Sequence, residues 1–404
     1  MNRNGQGAVA ALAVFALAGV VFAGVSTSDF VAFLDRQVHA VTCSFVPGLG
    51  AADTQGTSGC HAVLMSPYSA VLRTWTWGGI PISLGALAVF AFLLFRAADL
   101  IARRRTNERD ETAFLVAATL LPVVASVVYF LIAVLRVGSV CKLCVGIYVA
   151  SVGTFVSAVL AHRRAKRPEA PRLVPWGRHA AAFLEGVAFV AVPALLYLAL
   201  KPAYADTFAR CGELLHPEDR YGVRVRLTDP AGGVPAIEVL DPLCPACKAF
   251  SQRLAASGFS GRLQRELVLF PLDKECNWMV SESVHPGACA VSEAVLCGGV
   301  RAREVLEWAF ANQSELRDLG TDTAKLNARI RQQFPELGDC LGKPAVRARL
   351  NRSLRWAVAN SLPVQTPQLF VRNQKVCEED TDLGLEFVLA RMLSGPQPTA
   401  RAGR

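Results

Sequence analysis

Neither a two-cysteine, two-histidine spacing nor a repeated four-cysteine spacing occurs among the 12 cysteines and 6 histidines of this sequence, so no structural zinc or other metal site is expected. Charge is also scarce. Asp, Glu, Lys and Arg make up 19% of the 404 residues, against 52% hydrophobic residues and a mean hydropathy of +0.33, which is high for a chain soluble throughout. A basic face of the kind that reads phosphate is missing as well, because much of the +9 net charge lies in two short connectors, 96–109 and 162–178. That distribution argues against nucleic acid and for membrane topology. Apolar runs fill the chain as far as Leu200, and beyond it polar and apolar segments alternate as in a water-soluble fold. The length allows more than one domain, and the change of pattern implies two solvents.

Five apolar stretches, 8–25, 80–95, 113–135, 143–160 and 180–200, are candidates to cross a membrane, since about 20 apolar helical residues span a hydrocarbon core. Trp75, Trp77, Gly78 and Gly79 give the second an interfacial margin, and Pro81, Pro122 and Pro193 suit membrane helices whose neighbours repair the missing hydrogen bond. A signal peptide is the competing reading of the first stretch, which is short and follows a terminus bearing only Arg3, but no small-x-small cleavage site is persuasive there. The connector after span two holds Arg96, Arg103, Arg104, Arg105 and Arg109; the one after span four holds Arg163, Arg164, Lys166, Arg167, Arg172 and Arg178. By contrast, residues 26–79 contain only Arg36 and Arg73. The positive-inside rule assigns both basic connectors to the cytoplasm, which puts the N-terminus inside and everything after Leu200 outside. All 12 cysteines then fall on the outer side or at its membrane edge, the distribution expected of disulfide chemistry. Glu185, within the fifth span, is expected near the cytoplasmic interface.

Past that span, segment 204–227 carries Cys211 and precedes an apolar strand candidate over 234–240. The strand ends at Asp241-Pro242-Leu243-Cys244-Pro245-Ala246-Cys247, and a helical pattern follows over 248–256. A strand that delivers C-x-x-C to a helix N-terminus lets the first-turn amides and the dipole stabilise a thiolate. Cys244 is the expected nucleophile; Cys247, one turn in, is the expected resolving thiol. Residues 261–271 read as another strand, and Thr366-Pro367 stands just before an apolar strand. A cis Thr366–Pro367 bond is expected, with the Thr366 backbone beside the dithiol for pairing with an extended peptide. Cys211, Cys276, Cys289, Cys297, Cys340 and Cys377 remain, and the fifteen pairings open to six cysteines are not resolved by sequence. An additional redox pair among them stays open. The tail 394–404 is rich in small and turn residues and is expected to be flexible.

In the apolar half, Cys141-Lys142-Leu143-Cys144 lies where span three turns into span four, so that Cys144 faces the bundle near its outer edge, within reach of a lipid-soluble two-electron acceptor. Cys43 and Cys60 lie in the first outer loop with Gly48, Gly50, Gly56 and Gly59, whose backbone freedom suits a moving segment.

Two resemblances follow. On Cys244, Pro245, Ala246, Cys247, Thr366 and Pro367, residues 234–393 resemble a thioredoxin-fold protein of the periplasmic disulfide-oxidoreductase type, with a helical insertion over 273–360 and a closing helix over 383–392. The part before it resembles the bacterial homologues of vitamin K epoxide reductase. This likeness rests on Cys43 and Cys60, on Gly59-Cys60-His61-Ala62-Val63-Leu64-Met65-Ser66-Pro67-Tyr68, on Gly79-Ile80-Pro81-Ile82-Ser83-Leu84-Gly85, and on the Cys141–Cys144 motif. Such proteins are often fused through a fifth span to a thioredoxin-like domain. The fold implied is an α-helical membrane bundle of five transmembrane helices, four of them catalytic, plus a C-terminal α/β thioredoxin-like domain. The divisions are 1–176, 177–203, 204–393 and the tail 394–404.

The resemblance implies a thiol:quinone oxidoreductase of the bacterial inner membrane, with the N-terminus cytoplasmic and the thioredoxin-like domain periplasmic. Its partners are reduced secreted or periplasmic proteins, the lipid bilayer and the membrane quinone pool, with ubiquinone or menaquinone as acceptor. Electrons would pass from Cys244/Cys247 to Cys43/Cys60, by attack on Cys60, and then from Cys43 through Cys141 to Cys144 and the quinone. Ser66 and His61 are candidate quinone-side groups, and Ser83 is a packed small residue. The sequence departs from the family pattern in the 16 residues between Cys43 and Cys60 and in an apparent insertion over 73–78. A reductase or isomerase repairing wrong disulfides, and a transporter with a disulfide-stabilised outer domain, are the competing functions.

Overall fold

A computed structural model describes residues 3–35, 41–44, 58–166, 176–202, 211–227 and 233–394. The loop positions Gly48, Gly50 and Gly56 and the tail beyond residue 394 lie outside that range. The chain divides after Ala203 into two compact units.

The first unit is helical. Helix α1 (Arg3–Ala32) is followed by the short α2 (Gly59–Leu64), strands β1 (Ala70–Val71) and β2 (Ile80–Pro81), and then α3 (Ile82–Ala102), α4 (Arg109–Ile132), α5 (Lys142–Arg164) and α6 (Trp176–Leu200). Each of the five expected spans corresponds to a helix long and apolar enough to cross a membrane. Their ends differ from the apolar runs for local reasons. Helix α1 continues past Val25 because Thr27 Oγ1 donates to the Ala23 carbonyl at 2.8 Å and shares a hydrogen bond with the Ser83 hydroxyl at 2.9 Å, so its polar last turns are satisfied. The second helix starts later than the expected residue 80, since residues 80 and 81 pair with 71 and 70 in an antiparallel hairpin. Pro81, which has no N–H to donate, then caps α3. Helix α4 begins with Asp110 and Glu111, which suit the positive end of its dipole. It runs into a π turn, Ala133–Val137, that stops at Gly138 with φ 69°.

Small residues let α1 lie close to its neighbours: a Cβ added at Gly146 or Gly153 of α5 would come within 2.6 or 2.4 Å of the Phe22 or Phe15 ring. At one end of the bundle, a Cβ on Gly5 would meet Asn107, and the Asn107 carbonyl accepts from the Lys166 N–H at 3.2 Å. The two basic connectors therefore share that end. Arg96 pairs with Glu111 at 2.7 Å and with Glu185 at 3.6 Å, and Arg105 pairs with Glu111 at 2.9 Å. At the opposite end, α2 abuts the segment entering α5, and a Cβ on Gly59 would sit 2.4 Å from the Val140 carbonyl oxygen.

The second unit is a five-stranded mixed sheet with helices. Strand β3 (Val225–Arg226) precedes β4 (Val234–Leu240), α7 (Pro245–Ala256) and β5 (Leu263–Leu269). The expected insertion is helical: α8 (Ala288–Cys297), α9 (Ala302–Ala311), α10 (Gln313–Asp318), α11 (Thr323–Gln333) and α12 (Pro344–Ala359). Strands β6 (Gln368–Val371) and β7 (Gln374–Lys375) follow, and α13 (Leu385–Ser394) closes the unit. The order is β3-β5-β4-β6-β7, with β4 and β5 parallel and the other pairs antiparallel. Buried residues on the two faces make two cores, one containing Leu267, Val291 and Ile330, the other Val239, Trp356 and Phe370. Disulfides Cys211–Cys377, Cys276–Cys289 and Cys297–Cys340 tie the sheet edge and the insertion.

The strand that leads to the C-x-x-C also buries a charge. Glu238 on β4 is 1% exposed and pairs with Arg265 on β5 in a fork geometry, where Arg265 also donates to Ser260 Oγ at 3.1 Å. Glu238→Ala is expected to leave the guanidinium uncompensated and to cost about 3 kcal/mol of stability, read as a lower urea midpoint of the full chain in detergent. A midpoint within error of the parent would show that the pair is not a stability determinant.

Candidate functional site

Cys244 is the N-cap of α7 and Pro245 its first helical residue, where a missing N–H costs nothing. The sulfur therefore sits at the positive end of the helix, with Cys247 in the first turn behind it. Both are free thiols; Cys244 is 5% exposed and Cys247 fully buried. The Cys244 thiol is drawn down to about 6, first by the Cys247 thiol that hydrogen-bonds to it, against the opposing effect of burial. Burial, and then the neighbouring Cys244 sulfur, push Cys247 well above the ordinary thiol value. One sulfur is poised as a thiolate and leaving group, the other held as a thiol. The Thr366–Pro367 bond is cis, and the Thr366 carbonyl lies 3.7 Å from Cys244 Sγ.

Three groups missed by the sequence reading hold this turn. Asp241, fully buried, accepts from the Leu243 N–H at 2.7 Å and from the Leu272 N–H at 2.8 Å. His285, 6% exposed, places Nδ1 2.8 Å from the same carboxylate. Gln313 Nε2 donates to the carbonyls of Pro242 at 3.1 Å and Cys244 at 3.0 Å. Asp241 stood in the strand-end motif, whereas His285 and Gln313 come from the insertion and carried no sequence signal.

In the helical unit, Cys43 and Cys60 form a disulfide, and Cys141 and Cys144 are free. Cys60 is the second residue of α2, behind the N-cap Ser58, whose hydroxyl accepts from the His61 N–H at 3.2 Å. Cys141 is the N-cap of α5, and its sulfur accepts from the Cys144 N–H at 3.4 Å. Cys60, Cys141 and Cys144 all line one cavity of about 400 Å³ whose walls are mainly apolar, among them Phe30, Leu64, Ile82, Val89, Pro122 and Ile147. Asp29, Ser66, Ser83, Tyr129, Tyr148 and Ser151 supply polar groups on the same walls. Of the residues singled out from sequence, Ser66 and Ser83 are there; Ser66 Oγ donates to the Val63 carbonyl at 2.7 Å. His61 is not a lining residue and meets the Phe33 ring edge-on. Asp29 accepts from Thr42, next to Cys43, through its N–H at 2.9 Å and its hydroxyl at 3.2 Å. Asp29, Tyr129 and Tyr148 were not anticipated: Asp29 lies in the part of α1 beyond the apolar run, and apolar helical runs conceal which polar members, such as the two tyrosines, turn inward. Among the described residues no cluster of three or more His, Cys, Asp or Glu has a metal-binding arrangement.

Residues 10–159 match the profile of the Vitamin K epoxide reductase family. No curated protein matches the chain. Among solved structures, oxidoreductase DsbA from Xylella fastidiosa is 18% identical, over 42% of this chain and 94% of that one, with a TM-score of 0.29. Reduced DsbA1 from Neisseria meningitidis is 16% identical, over 43% and 92%, with a TM-score of 0.28.

Because the Cys244 thiol is lowered, its reactivity is present above its value and lost as pH falls through it. Alkylation of the reduced protein, resolved by mass spectrometry, is expected to show a midpoint near pH 6 at Cys244 and slow labelling of Cys247 throughout. A midpoint near pH 8.5 at Cys244, the ordinary thiol range, would remove the thiolate argument. Gly59→Ala forces a Cβ against backbone that cannot yield cheaply. In protein also carrying Cys43→Ser and Cys144→Ser, it is expected to lower the yield of a Cys60–Cys141 disulfide about tenfold or more. An undiminished yield would show that the close approach is not needed.

Proposed function

Starting from a chain whose N-terminal region is of the Vitamin K epoxide reductase family and whose C-terminal region is thioredoxin-like, we propose that it makes disulfides in secreted proteins and delivers the electrons to a membrane quinone. A substrate thiolate attacks Cys244 of the Cys244–Cys247 disulfide, forming a mixed disulfide and releasing the Cys247 sulfur. The second substrate thiol attacks its own sulfur in that mixed disulfide, leaving an oxidised substrate and a Cys244 thiolate. That thiolate then attacks Cys60 of the Cys43–Cys60 disulfide, Cys43 is released, and Cys247 resolves the new mixed disulfide. Cys43 in turn exchanges with a Cys141–Cys144 disulfide. Every step makes one S–S bond and breaks one, so a pair of electrons moves inward each time.

The observation that carries this reading is the cavity on which Cys60, Cys141 and Cys144 converge. Its mainly apolar walls, with a few hydroxyls and one carboxylate, suit a lipid-soluble ring with polar oxygens. When bound, a quinone supplies the sink, taking two electrons and two protons. Cys144 and Cys141 face that space; Tyr129, Tyr148, Ser66 and Ser83 are the polar side chains on its walls that would orient the ring. Thr366, whose carbonyl is beside Cys244 Sγ, and Pro367 position the extended substrate. The clustering of Arg96, Arg105 and Lys166 at the bundle end away from the cysteines supports an orientation with that end in the cytoplasm and the thioredoxin-like unit in the periplasm of a bacterial inner membrane.

The test uses the full chain in detergent, with a reduced unfolded protein and a soluble quinone analogue. Two thiols lost per quinol formed are expected. Cys144→Ser is expected to lower quinol formation by at least about a hundredfold, while Cys247→Ser accumulates a mixed disulfide at Cys244. Undiminished turnover of the Cys144→Ser protein would overturn the relay.

A further inference from the structure

The Cys244 turn carries no charged side chain of its own: its residues from Pro242 to Cys247 are Pro, Leu, Cys, Pro, Ala and Cys. An imidazole nevertheless reaches it from elsewhere in the chain. His285 stands at the end of the loop between β5 and α8, two residues before Gly287, which caps α8. The loop is fixed at several points. A disulfide ties Cys276 within the loop to Cys289 in α8, and Asp273 accepts from the N–H groups of Gly287 at 2.9 Å and Cys289 at 3.3 Å. The His285 and Val284 N–H groups donate to the Leu272 carbonyl at 3.1 and 2.9 Å. The imidazole is thereby held against Asp241, the carboxylate that also organises the Leu243 amide in the active turn. The buried Asp241 side chain thus takes part in three hydrogen bonds, one of them the 2.8 Å contact with the imidazole.

We propose that His285, charged and clamped by Asp241, is a positioning residue that makes the Cys244–Cys247 pair a stronger oxidant by setting a positive charge against the Cys244 sulfur. The inference rests on the dithiol role proposed above and assigns its driving force to one side chain. In the step that frees the oxidised substrate, the bond between Cys244 and the substrate sulfur breaks and its electron pair stays on Cys244. Of the two protons given up by the substrate dithiol, one ends on Cys247 and the other goes to solvent. An imidazolium beside Cys244 stabilises that thiolate, hence the reduced pair, hence the tendency to take electrons.

The charged and titratable groups around the imidazole are Asp241 from the end of β4, Cys244 from α7 and Arg317 from α10. Burial works against the charged ring, but the Asp241 carboxylate and then the Cys244 sulfur override it, while Arg317 opposes; the net displacement is upward. The electrostatic effect is mutual, and His285 is among the groups that lower Cys244. Because the imidazole value is raised, its charge is complete below the ordinary histidine range and fades as pH rises through the raised value. Removing the ring would leave the Asp241 carboxylate near Cys244 without its counter-ion, so the loss should exceed that of an isolated charge.

The test compares the full chain with His285→Gln and His285→Arg in detergent. Two quantities are read: the pH midpoint of Cys244 alkylation, and the equilibrium of the Cys244–Cys247 pair with glutathione, each scored by mass spectrometry at that site. In His285→Gln the alkylation midpoint is expected to rise by about one pH unit, and the glutathione equilibrium to shift about tenfold toward the protein disulfide. His285→Arg, which restores charge without the imidazole, is expected to recover most of both shifts. Changes that are equal in the two variants and follow a loss of thermal stability would reduce His285 to a structural part, and an unmoved midpoint and equilibrium in His285→Gln would overturn the proposal. Neither readout involves quinone, so a chain that fails to reduce quinone can still pass this test, and the reverse.

Discussion

A cysteine at the N-cap of a helix, with its partner one turn further in, is the constraint on which both halves of this chain depend. Cys141 starts α5 and Cys244 starts α7, and each helix exposes unsatisfied first-turn amides to the sulfur. In α5 the Cys144 N–H already donates to Cys141 Sγ. The spacing C-x-x-C is what the helix demands: at three residues apart the two sulfurs share a face and can join without bending the backbone. Everything else serves to set what each sulfur pair faces. The C-terminal unit gives Cys244 a nearby carbonyl and a buried carboxylate–imidazole hydrogen bond; the helical unit gives Cys144 an apolar cavity.

This difference in surroundings follows from the way each helix is entered. Helix α7 follows a central strand, so its N-terminus emerges at the sheet edge formed by the ends of β4 and β6, and the insertion helix α10 supplies Gln313 from above to tie down the turn. Helix α5 follows α4 through a π turn and Gly138, and the segment so displaced meets α2 at Gly59. The absence of a side chain on Gly59 is what brings Cys60 onto the cavity beside Cys141 and Cys144. Gly59 therefore acts by close approach.

The elements most legible in the sequence were those set by solvent and by local backbone chemistry. Five apolar runs interrupted by basic connectors define five helices, because a helix in lipid must be apolar over its whole length. The apolar strand 234–240, the cysteine-proline step after it and the apolar strand at 368–371 are local patterns, and each is found where the pattern placed it. Pairing was illegible. Cys211 and Cys377 are 166 residues apart and meet only because β7 and the segment before β3 share a sheet edge, which is visible as the bridge between Glu213 and Gln374. His285 was illegible for the same reason: a histidine in a loop acquires a role only when the fold carries it to Asp241. The cavity polar groups were hidden too, since a tyrosine or serine in an apolar helix has the same pattern whether it faces lipid or the interior.

Of the two departures from the family pattern, the apparent insertion over 73–78 is absorbed beside the cavity. Residues 73–78, which look inserted, form the turn of the β1–β2 hairpin, and the buried Arg73 guanidinium donates to the Ser66 carbonyl at 2.7 Å and to Ser69 Oγ at 2.6 Å. Ser66 and Ser69 both line the cavity, so the insertion is bonded to its wall. Helix α6 grips the same hairpin from the other side. Tyr197 donates its hydroxyl proton to the Gly79 carbonyl at 2.9 Å, and Lys201 donates to the Trp77 carbonyl at 2.5 Å. These two carbonyls belong to a tight turn with positive φ at Gly78 and Gly79 and have no helix of their own to satisfy them. The fifth helix is thus more than a tether to the second unit. By satisfying the turn it holds Arg73, and through Arg73 it holds the segment after Cys60, so the added residues and the added helix stabilise each other at the place where the membrane cysteines converge.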